Sequence, residues 1–361
     1  MIRVLHVISD TNIGGAGMQM LGLLSGLDRG VFDTKVVLPR SSMLRNPVDE
    51  LGIGFLEIDN LAEKSFSRRS ILPLYRLIKS FGPDIVHAHA ALSARVAARM
   101  WGKCKIVNTR HSVFPPTGKQ KRLRHLTGAL ENFLGDVVIA VSDGAKKNLL
   151  QLGVKERKIK VVNNGIDPAM FKFDKEQRIA ARAELSIRDD VFCVGHVGRF
   201  GPEKNHAFLL EVFSEVCRQR NSVLILVGTG ELFESTRAKA EKMGIGEKTH
   251  FLGGRSDTAK LYQAFDVFLM PSKSEGFGLV AVEAQCSGLP CVLSSHIPQA
   301  VKCSDAVRFI PIDNASEWAK ACMGLESPDR ENAHLNVEKS GLDAKTMCDE
   351  TARIYLSLVR R

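Results

Sequence analysis

Short apolar runs that alternate with longer helix-like stretches constrain the fold of this sequence more than any other feature. A first series starts at Val4–Ile8 and includes Ile85–His89, and a second series includes Val191–Val197, Val223–Val227 and Val267–Met270. Apolar runs of this length indicate strands that are buried on both faces of a parallel sheet. Because each parallel strand needs a crossover connection, the alternation predicts βαβ units and an α/β fold.

Two series of strands predict two doubly wound, Rossmann-like domains in a chain of 361 residues. We expect residues 1–173 to form an N-terminal domain, residues 174–343 to form a C-terminal domain, and residues 344–361 to form a helix that packs back toward the first domain. The charged stretch Asp174–Asp190 is expected to be the hinge, with a helix of its own around Lys175–Leu185. Ligands are expected in a cleft that both domains face, at the carboxyl ends of the strands.

Composition is that of an ordinary soluble globular protein, with 44% hydrophobic and 25% charged residues. No apolar run approaches the ~20 residues that span a bilayer, and the first residues read as a strand rather than a signal peptide. The eight cysteines include no Cys-x-x-Cys pair. We therefore expect a cytoplasmic protein with free thiols, without a disulfide framework or a zinc site.

The net charge of +10 is carried by the N-terminal half of the chain. Residues 1–178 hold 28 basic and 16 acidic residues, whereas residues 179–361 hold 22 and 24. An excess of this kind predicts an anionic partner. The basic run Lys119–Arg124, which follows Val113–Pro116, is either a solvated face or a segment that touches an anionic membrane surface. Nucleic acid is not an expected partner, because the run has no interleaved aromatic residues for base stacking.

The stretch Pro271–Gly288 is the strongest functional lead. It follows a predicted strand, turns at two glycines and continues into a predicted helix, Leu279–Cys286. A strand, a glycine loop and a helix start leave backbone N–H groups available to an anion. Glu275 lies in the loop and Glu283 in the second turn of the helix, so both carboxylates are expected beside that anion site.

Motifs spread over nearly the whole chain resemble those of the retaining family 4 glycosyltransferases of the GT-B fold. The most specific is Glu275-x7-Glu283 within Pro-Ser-x-x-Glu-Gly-Phe-Gly-Leu-Val-x-x-Glu-Ala. The others are Gly14-Gly15, Thr109-Arg110-His111, Asn163-Asn164-Gly165-Ile166-Asp167, Gly198-Arg199 with Glu203-Lys204-Asn205, and Val227-Gly228-Thr229-Gly230. The resemblance implies two facing Rossmann-like domains, of which the N-terminal one would bind the acceptor and the C-terminal one the nucleotide sugar.

The resemblance also implies roles for individual residues. Glu283 would accept hydrogen bonds from the ribose hydroxyls, Glu275 would contact the hydroxyls of the donor sugar, and His111 would bind that sugar from the opposite domain. Arg255 would lie near the base, although a plain loop arginine is an equally good reading. The residues expected to act in catalysis are His111, Glu275, Arg199 and Lys204. Those expected to bind the donor are Gly15, Arg199, Lys204, Gly228, Arg255, Glu275, Phe277, Gly278, Leu279, Val280 and Glu283.

The chemistry of a nucleoside diphosphate leaving group agrees with this set of residues. Negative charge develops on the diphosphate as the sugar–phosphate bond breaks, and a metal or preorganised cations must neutralise it. The sequence has no Asp-x-Asp and no His-Glu-x-x-His motif, whereas Arg199 and Lys204 follow a predicted strand and can clamp the phosphates. His87 and His89 alternate on one strand, but no cysteine lies near them in sequence. We therefore expect neither a metal nor a cofactor. The nucleotide sugar is expected as a substrate.

The function predicted from the sequence is a retaining, metal-independent glycosyltransferase. It would move a hexosyl or N-acetylhexosaminyl group from a nucleotide sugar, expected to be UDP-linked, to a lipid-linked or glycan acceptor in surface polysaccharide or glycolipid synthesis. Peripheral attachment to the inner face of the membrane is part of this hypothesis. Two alternatives use the same fold: a non-catalytic GT-B partner subunit and a GT-B nucleotide-sugar epimerase.

Overall fold

The computed structural model describes residues 1–62, 65–111 and 124–359. The chain divides into two compact units. Unit 1 comprises Met1–Gly165 with Ala344–Arg361, and unit 2 comprises Ile166–Asp343. The last helix, expected to return to the first domain, thus belongs to unit 1. The roles assigned to the two domains from the sequence stay predictions.

Each unit contains one sheet whose described strand pairs are all parallel. The strands of unit 1 are β1 (Ile2–Ile8), β2 (Phe32–Pro39), β3 (Phe55–Ile58), β4 (Ile85–His89), β5 (Lys105–Arg110), β6 (Val137–Ala140) and β7 (Ile159–Val161). Those of unit 2 are β8 (Phe192–Val197), β9 (Ser222–Val227), β10 (Thr249–Phe251), β11 (Val267–Met270), β12 (Cys291–Ser294) and β13 (Val307–Ile310). The strand orders are β3-β2-β1-β4-β5-β6-β7 and β10-β9-β8-β11-β12-β13.

Helices cover both faces of each sheet. In the described part of unit 1 they are α1 (Gly15–Gly26), α2 (Arg45–Glu50), α3 (Arg68–Phe81), α4 (Leu92–Trp101), α5 (Arg124–Leu134), α6 (Asp143–Gln151) and α15 (Ala344–Val359). In unit 2 they are α7 (Pro168–Phe171), α8 (Lys175–Glu184), α9 (His206–Gln219), α10 (Phe233–Lys242), α11 (Thr258–Ala264), α12 (Leu279–Cys286), α13 (Ala315–Gly324) and α14 (His334–Lys339). These two parallel-sheet, Rossmann-like units confirm the predicted α/β fold class.

Side chains point to alternate faces along the strands of unit 1 and form one apolar layer on each face of the sheet. Leu5 and Val86 face α3 and α4, whereas Val4 and Ile85 face α1 and α15, whose Tyr355 is fully buried. The strands are apolar throughout because both faces are covered in this way. The C-terminal helix therefore completes the core of unit 1.

The interpretation of Asp174–Asp190 as a hinge is wrong. Its helix α8 begins at the cap Asp174, whose carboxylate accepts from the N–H of Gln177 at 2.9 Å. Arg178 donates to Asp266 Oδ1 at 2.6 Å, and the buried Arg182 lies 3.3 Å from Asp266 Oδ2. These ion pairs, whose side chains are mostly buried, hold α8 against the rest of unit 2. The charged residues of this stretch therefore indicate a packed surface rather than a linker.

Candidate active site

The order of the strands in unit 2 defines where a ligand is expected. The chain passes from β8 to β9 on one side and later returns to β11 on the other side of β8. Loops that leave neighbouring strands in opposite directions open a crevice at their carboxyl ends. The loop after β8 begins at Gly198 and the loop after β11 at Pro271, so both predicted motifs lie at this crevice.

Close backbone packing shapes the loops after β8 and β9. Gly228 has φ +139°, and a Cβ there would overlap the carbonyl oxygen of Gly198. Gly230 has φ +154°, and a Cβ there would lie 2.6 Å from the carbonyl oxygen of Phe200. Only glycine combines this backbone conformation with this close an approach. The two glycines therefore hold one loop directly against the other.

Lys204 and Glu275 form an ion pair across the crevice between the loops after β8 and β11. Lys204 Nζ lies 2.7 Å from Glu275 Oε1, and the two side chains are only 14% and 13% exposed. A backbone bond of 2.7 Å from Lys273 N to Glu203 O joins the same loops. The ammonium has three donors, so two remain beyond the bond to Glu275 and can bind a ligand oxygen.

The start of α12 lies beside this pair. Gly278 is the N-cap residue with φ +111°, and no side chain in the described part of the chain caps the helix. The buried Phe277 anchors the loop, whereas Leu279 and Val280 are partly exposed. Uncapped N–H groups at a helix N-terminus attract anions. The helix begins at Leu279 as predicted, so the sequence placed these N–H groups correctly.

Glu283 lies in the second turn of α12 and is buried. Tyr262 on α11 donates its hydroxyl to Glu283 Oε2 at 2.8 Å. Burial raises the pKa of Glu283 to about 7, and the Tyr262 hydrogen bond and the charge of Lys204 oppose this rise. Lys204 therefore links Glu275 and Glu283 electrostatically. The remaining carboxylate oxygen of Glu283 is available to a hydroxyl donor.

The two predicted arginines are engaged with carboxylates in unit 2. Arg199 is 62% exposed and bonds Glu203 at 2.8 Å. Arg255 bonds Asp257 at 2.6 Å and Glu184 of α8 at 2.9 Å. Arg199 has the exposure that a phosphate ligand would need, whereas Arg255 holds a loop to a helix. Contact of either residue with the donor stays a prediction.

The point of reversed strand order in unit 1 lies between β1 and β4. Gly15 begins α1 just after β1, and a Cβ at this residue would meet nothing within 4 Å. His111 follows directly after β5, and its Nε2 lies 3.2 Å from Nδ1 of His89 at the end of β4. Burial, with the neighbouring charge of Arg110, lowers the pKa of His111 to about 4. The imidazole of His111 is therefore neutral at pH 7.

Buried histidines line the face of β1 and β4 that α15 covers. The register pairs His6 with His87, and His89 lies two residues further along β4. One nitrogen from each of these three rings lies within 4.8 Å of the others, a spacing that a metal ion can use. However, His87 and His89 stack at 4.3 Å with an interplanar angle of 29°, and His87 is already bonded to Tyr355 and Thr109. Both nitrogens of His87 thus already have hydrogen-bond partners. The expectation that the protein needs no metal stays a prediction.

Sequence reasoning missed the partners of the predicted residues. Tyr262 gave no signal because its contact with Glu283 joins two helices and depends on tertiary packing. His89 was noticed for its alternation with His87, but its bond to His111 depends on strand order.

The basic run Lys119–Arg124 and the preceding Val113–Pro116 lie outside the residues whose side chains the structure describes. Across the described residues, no helix combines the length and apolar character needed to span a bilayer.

Two family models match this chain, and together they span most of it. "Glycosyltransferase Family 4" matches residues 13–170, and "Glycosyl transferases group 1" matches residues 177–336. The chain is 28% identical to the UDP-Gal:alpha-D-GlcNAc-diphosphoundecaprenol alpha-1,3-galactosyltransferase of Escherichia coli, over 78% of this chain and 79% of that protein. It is 27% identical to the putative glycosyltransferase EpsF of Bacillus subtilis, over 98% and 96% of the two chains.

Solved structures share the fold. Anabaena HepE in complex with UDP and glucose superposes with a TM-score of 0.84 at 20% identity, covering 99% of this chain and all of that one. A glycosyltransferase from Rickettsia africae gives a TM-score of 0.81 at 19% identity, with 100% and 99% coverage.

The two Rossmann-like units match the GT-B fold of the solved structures, and the family models and relatives confirm the glycosyltransferase class predicted from the sequence. The chain is a glycosyltransferase whose N-terminal half matches the family 4 model and whose C-terminal half matches the group 1 model.

Proposed function

We propose that this chain is a retaining, metal-independent glycosyltransferase that uses a UDP-sugar and a lipid-linked or glycan acceptor in surface polysaccharide or glycolipid synthesis. The observation that carries the proposal is the Lys204–Glu275 pair, held at the carboxyl ends of β8 and β11 beside the uncapped start of α12. A cation and free N–H groups suit the leaving diphosphate, and a carboxylate suits sugar hydroxyls.

Each residue has a distinct part in the proposed reaction. Lys204, Arg199 and the N–H groups of Leu279 and Val280 neutralise the charge that develops on the departing phosphate. Glu275 orients both the Lys204 ammonium and the hydroxyls of the donor sugar, and Glu283 holds the ribose. The departing phosphate takes the proton of the acceptor hydroxyl on the same face of the sugar. No enzymic nucleophile is assigned, and transfer in this manner retains the anomeric configuration.

The names of relatives support the substrate classes. HepE has been solved with UDP-glucose, and the E. coli relative is named for a UDP-Gal donor and a diphosphoundecaprenol-linked acceptor. A lipid-linked acceptor requires access to a membrane surface. Helix α5 exposes Leu126, Leu130 and Phe133, which share one face because they are spaced by four and three residues. An apolar stripe next to the basic run suits peripheral binding to an anionic bilayer.

The first experiment identifies the donor. A panel of nucleotide sugars is screened by thermal melting, since a ligand at about 100 times its dissociation constant adds ~2.7 kcal/mol of stability. The stabilising donor is then incubated with undecaprenyl diphosphate-linked sugars, with and without EDTA, and the anomeric configuration of the product is determined by NMR. Transfer that survives EDTA with retention is the expected result. Inversion or full loss in EDTA refutes the corresponding part of the proposal.

The second experiment tests the assigned pair. Lys204→Ala and Glu275→Ala are expected to abolish transfer while the protein remains folded. Lys273→Ala is the matched control, because its side chain is exposed in the same loop as Glu275. Full activity of the Lys204 variant with every donor in the panel would contradict the phosphate clamp. Product formed from the donor alone, without acceptor, would instead indicate an epimerase.

A further inference from the structure

Arg110 is the last residue of β5 and points to the face of the unit 1 sheet that α3 and α4 cover. Its side chain lies on the same face as that of Ile106, four residues earlier, which packs into the apolar layer beneath these two helices. Its register partner is Ala140, the last residue of β6. Arg110 therefore lies at the carboxyl end of the strands, where ligands bind in α/β folds.

The guanidinium of Arg110 lies near one ion pair, which joins Arg95 of α4 to Glu131 of α5. Arg95 Nη1 donates to Glu131 Oε2 at 2.5 Å and Nη2 to Oε1 at 3.1 Å, and the two side chains are 5% and 15% exposed. Burial lowers the pKa of Arg110, the charge of Glu131 raises it, and the charge of Arg95 lowers it further. Both oxygens of the carboxylate are bonded to Arg95, so the three groups leave one positive charge in excess.

Arg110 has no anionic partner of its own among the described residues. No carboxylate of theirs lies within 4 Å of it, and its Nε is buried without a hydrogen-bond partner, whereas its terminal nitrogens keep contact with solvent. The sequence adds a second restriction, because no acidic residue occurs between Asp84 and Glu131. The residues that follow β5 fall within this range, so they supply no carboxylate either.

An unpaired cation in this position lowers the stability of the free protein. A guanidinium stays protonated at neutral pH, and partial burial removes part of its hydration without adding a counter-charge. A cost of this kind is typical of binding sites, where the ligand supplies the missing partner. The missing partner of Arg110 is an anion.

We propose that Arg110 binds a phosphate of the lipid-linked acceptor, in a subsite that unit 1 builds alone. The planar fork of a guanidinium matches two oxygens of a phosphate or diphosphate. Because Arg95 occupies both oxygens of Glu131, the fork of Arg110 remains free for the ligand. The inference rests on the proposed function in one respect, which is that the acceptor is lipid-linked.

The surface of α5 favours a lipid-linked phosphate over a free one. The helix that carries Glu131 also exposes Leu126, Leu130 and Phe133 along one face. An apolar face of this kind suits a prenyl chain, as the guanidinium suits its diphosphate. One element thus contributes to both halves of an amphipathic ligand.

The first test compares acceptor kinetics in Arg110→Gln and Lys105→Gln. Lys105 is the matched control, because it is an exposed cation at the first position of the same strand, away from the ligand edge. Arg110→Gln should raise the KM for an undecaprenyl diphosphate-linked sugar at least about tenfold, as the loss of charge-assisted hydrogen bonds does, and should change the KM for the donor less than about twofold. Arg110→Lys keeps the charge without the fork, so its KM should lie between the two. An unchanged acceptor KM in Arg110→Gln would overturn the inference.

The melting temperature separates ligand binding from a structural role. Removing an unpaired cation leaves the Arg95–Glu131 pair intact, so Arg110→Gln should melt at the wild-type temperature or above it. A lower melting temperature, or a variant that fails to fold, would show that Arg110 stabilises unit 1 and would contradict the proposal.

Binding of farnesyl diphosphate decides the question even if no sugar is transferred. It is measured by calorimetry, with UDP present to fill the proposed donor site. The wild type and Lys105→Gln should bind it at least about tenfold more tightly than Arg110→Gln, whereas farnesol, which has no phosphate, should not distinguish the three proteins. Equal binding of farnesyl diphosphate by all three refutes the subsite. If binding depends on Arg110 but no nucleotide sugar is turned over, the proposed function fails and the phosphate subsite stands.

Two further probes identify the source of the phosphate. Inorganic pyrophosphate should bind the wild type more weakly than farnesyl diphosphate does, and equal affinity would assign the subsite to a free anion. Binding to phosphatidylglycerol vesicles should be the same for the wild type and Arg110→Gln. A loss of vesicle binding as large as the loss for farnesyl diphosphate would assign Arg110 to bilayer headgroups and overturn the inference.

Discussion

The buried carboxyl of Glu283 should make donor binding depend on pH near neutrality. Its pKa is raised to about 7 because burial disfavours the charged form. The proposed contact with the ribose hydroxyls needs the carboxylate, since a carboxylate is the stronger acceptor. Binding is therefore expected to select the ionised form and to release a proton below pH 7.

The size of the effect follows from the fraction of Glu283 that is ionised. With a pKa of about 7, roughly one-tenth is ionised at pH 6 and roughly nine-tenths at pH 8. The apparent dissociation constant varies inversely with the fraction of the protein in which Glu283 is ionised, so binding should be about tenfold weaker at pH 6 than at pH 8.

The contribution of Glu283 to the free energy of unfolding depends on pH in the opposite sense. Because the folded pKa lies above the unfolded value, the folded state is favoured at low pH, and this contribution is lost as the pH rises from 4.5 through about 7.

The assay is calorimetric titration with UDP-glucose as the first probe, in buffers that differ in ionisation enthalpy. UDP itself is unsuitable because a terminal phosphate takes up its second proton near pH 6, with a pKa of about 6. Glu283→Gln is expected to bind with little pH dependence. Tyr262→Phe removes the hydrogen bond that favours the carboxylate, so its midpoint should move to higher pH. A flat profile for the wild type, or an equal slope for Glu283→Gln, would refute the reasoning.

Three further predictions concern residues of unit 2, and the expected changes in stability are checked by chemical denaturation. Gly228→Ala should destabilise it by roughly 2–4 kcal/mol, since a side chain is strained at φ +139° and overlaps Gly198, whereas Gly324→Ala, at an open helix end, should be neutral or slightly stabilising. Equal effects of the two glycine variants would contradict the close-packing argument. Arg330→Ala should cost roughly 2–4 kcal/mol because three bonds of 3.0 to 3.3 Å to carbonyl oxygens are lost, and only that of Phe265 keeps a side-chain donor, Arg178. Arg199→Ala, at 62% exposure, should change stability by less than about 0.5 kcal/mol while weakening nucleotide binding.

The bounds of helices and strands were predictable from the sequence where a nearby proline or glycine marks an end of the element. The helix Leu279–Cys286 and the strands Val267–Met270 and Ile85–His89 have the predicted bounds, because a proline or glycine marks an end of each. Several helices were missed, among them the short α2 over Arg45–Glu50 and α14 over His334–Lys339, whose few turns carry little periodic signal.

Contacts across the chain were not predictable in the same way. The loop positions of Lys204 and Glu275 were expected from their motifs, but their ion pair depends on β8 and β11 being neighbours in the sheet. The hinge assignment failed for a related reason. A charged stretch predicts exposure, and Arg182 is nevertheless buried because Asp266, far along the chain, supplies its partner.

The return of the C-terminal helix to unit 1 has a consequence for synthesis on the ribosome. Tyr355 seals the core of unit 1 and bonds His87, yet about 190 residues separate it from Gly165, where the first segment of that unit ends. At about 5–20 residues per second, its arrival lags by on the order of ten to forty seconds. Unit 2 is translated entirely within this interval. The half of the protein that is made first is therefore expected to be the last to reach its native core, and until then its histidine-lined face is one that chaperones can bind.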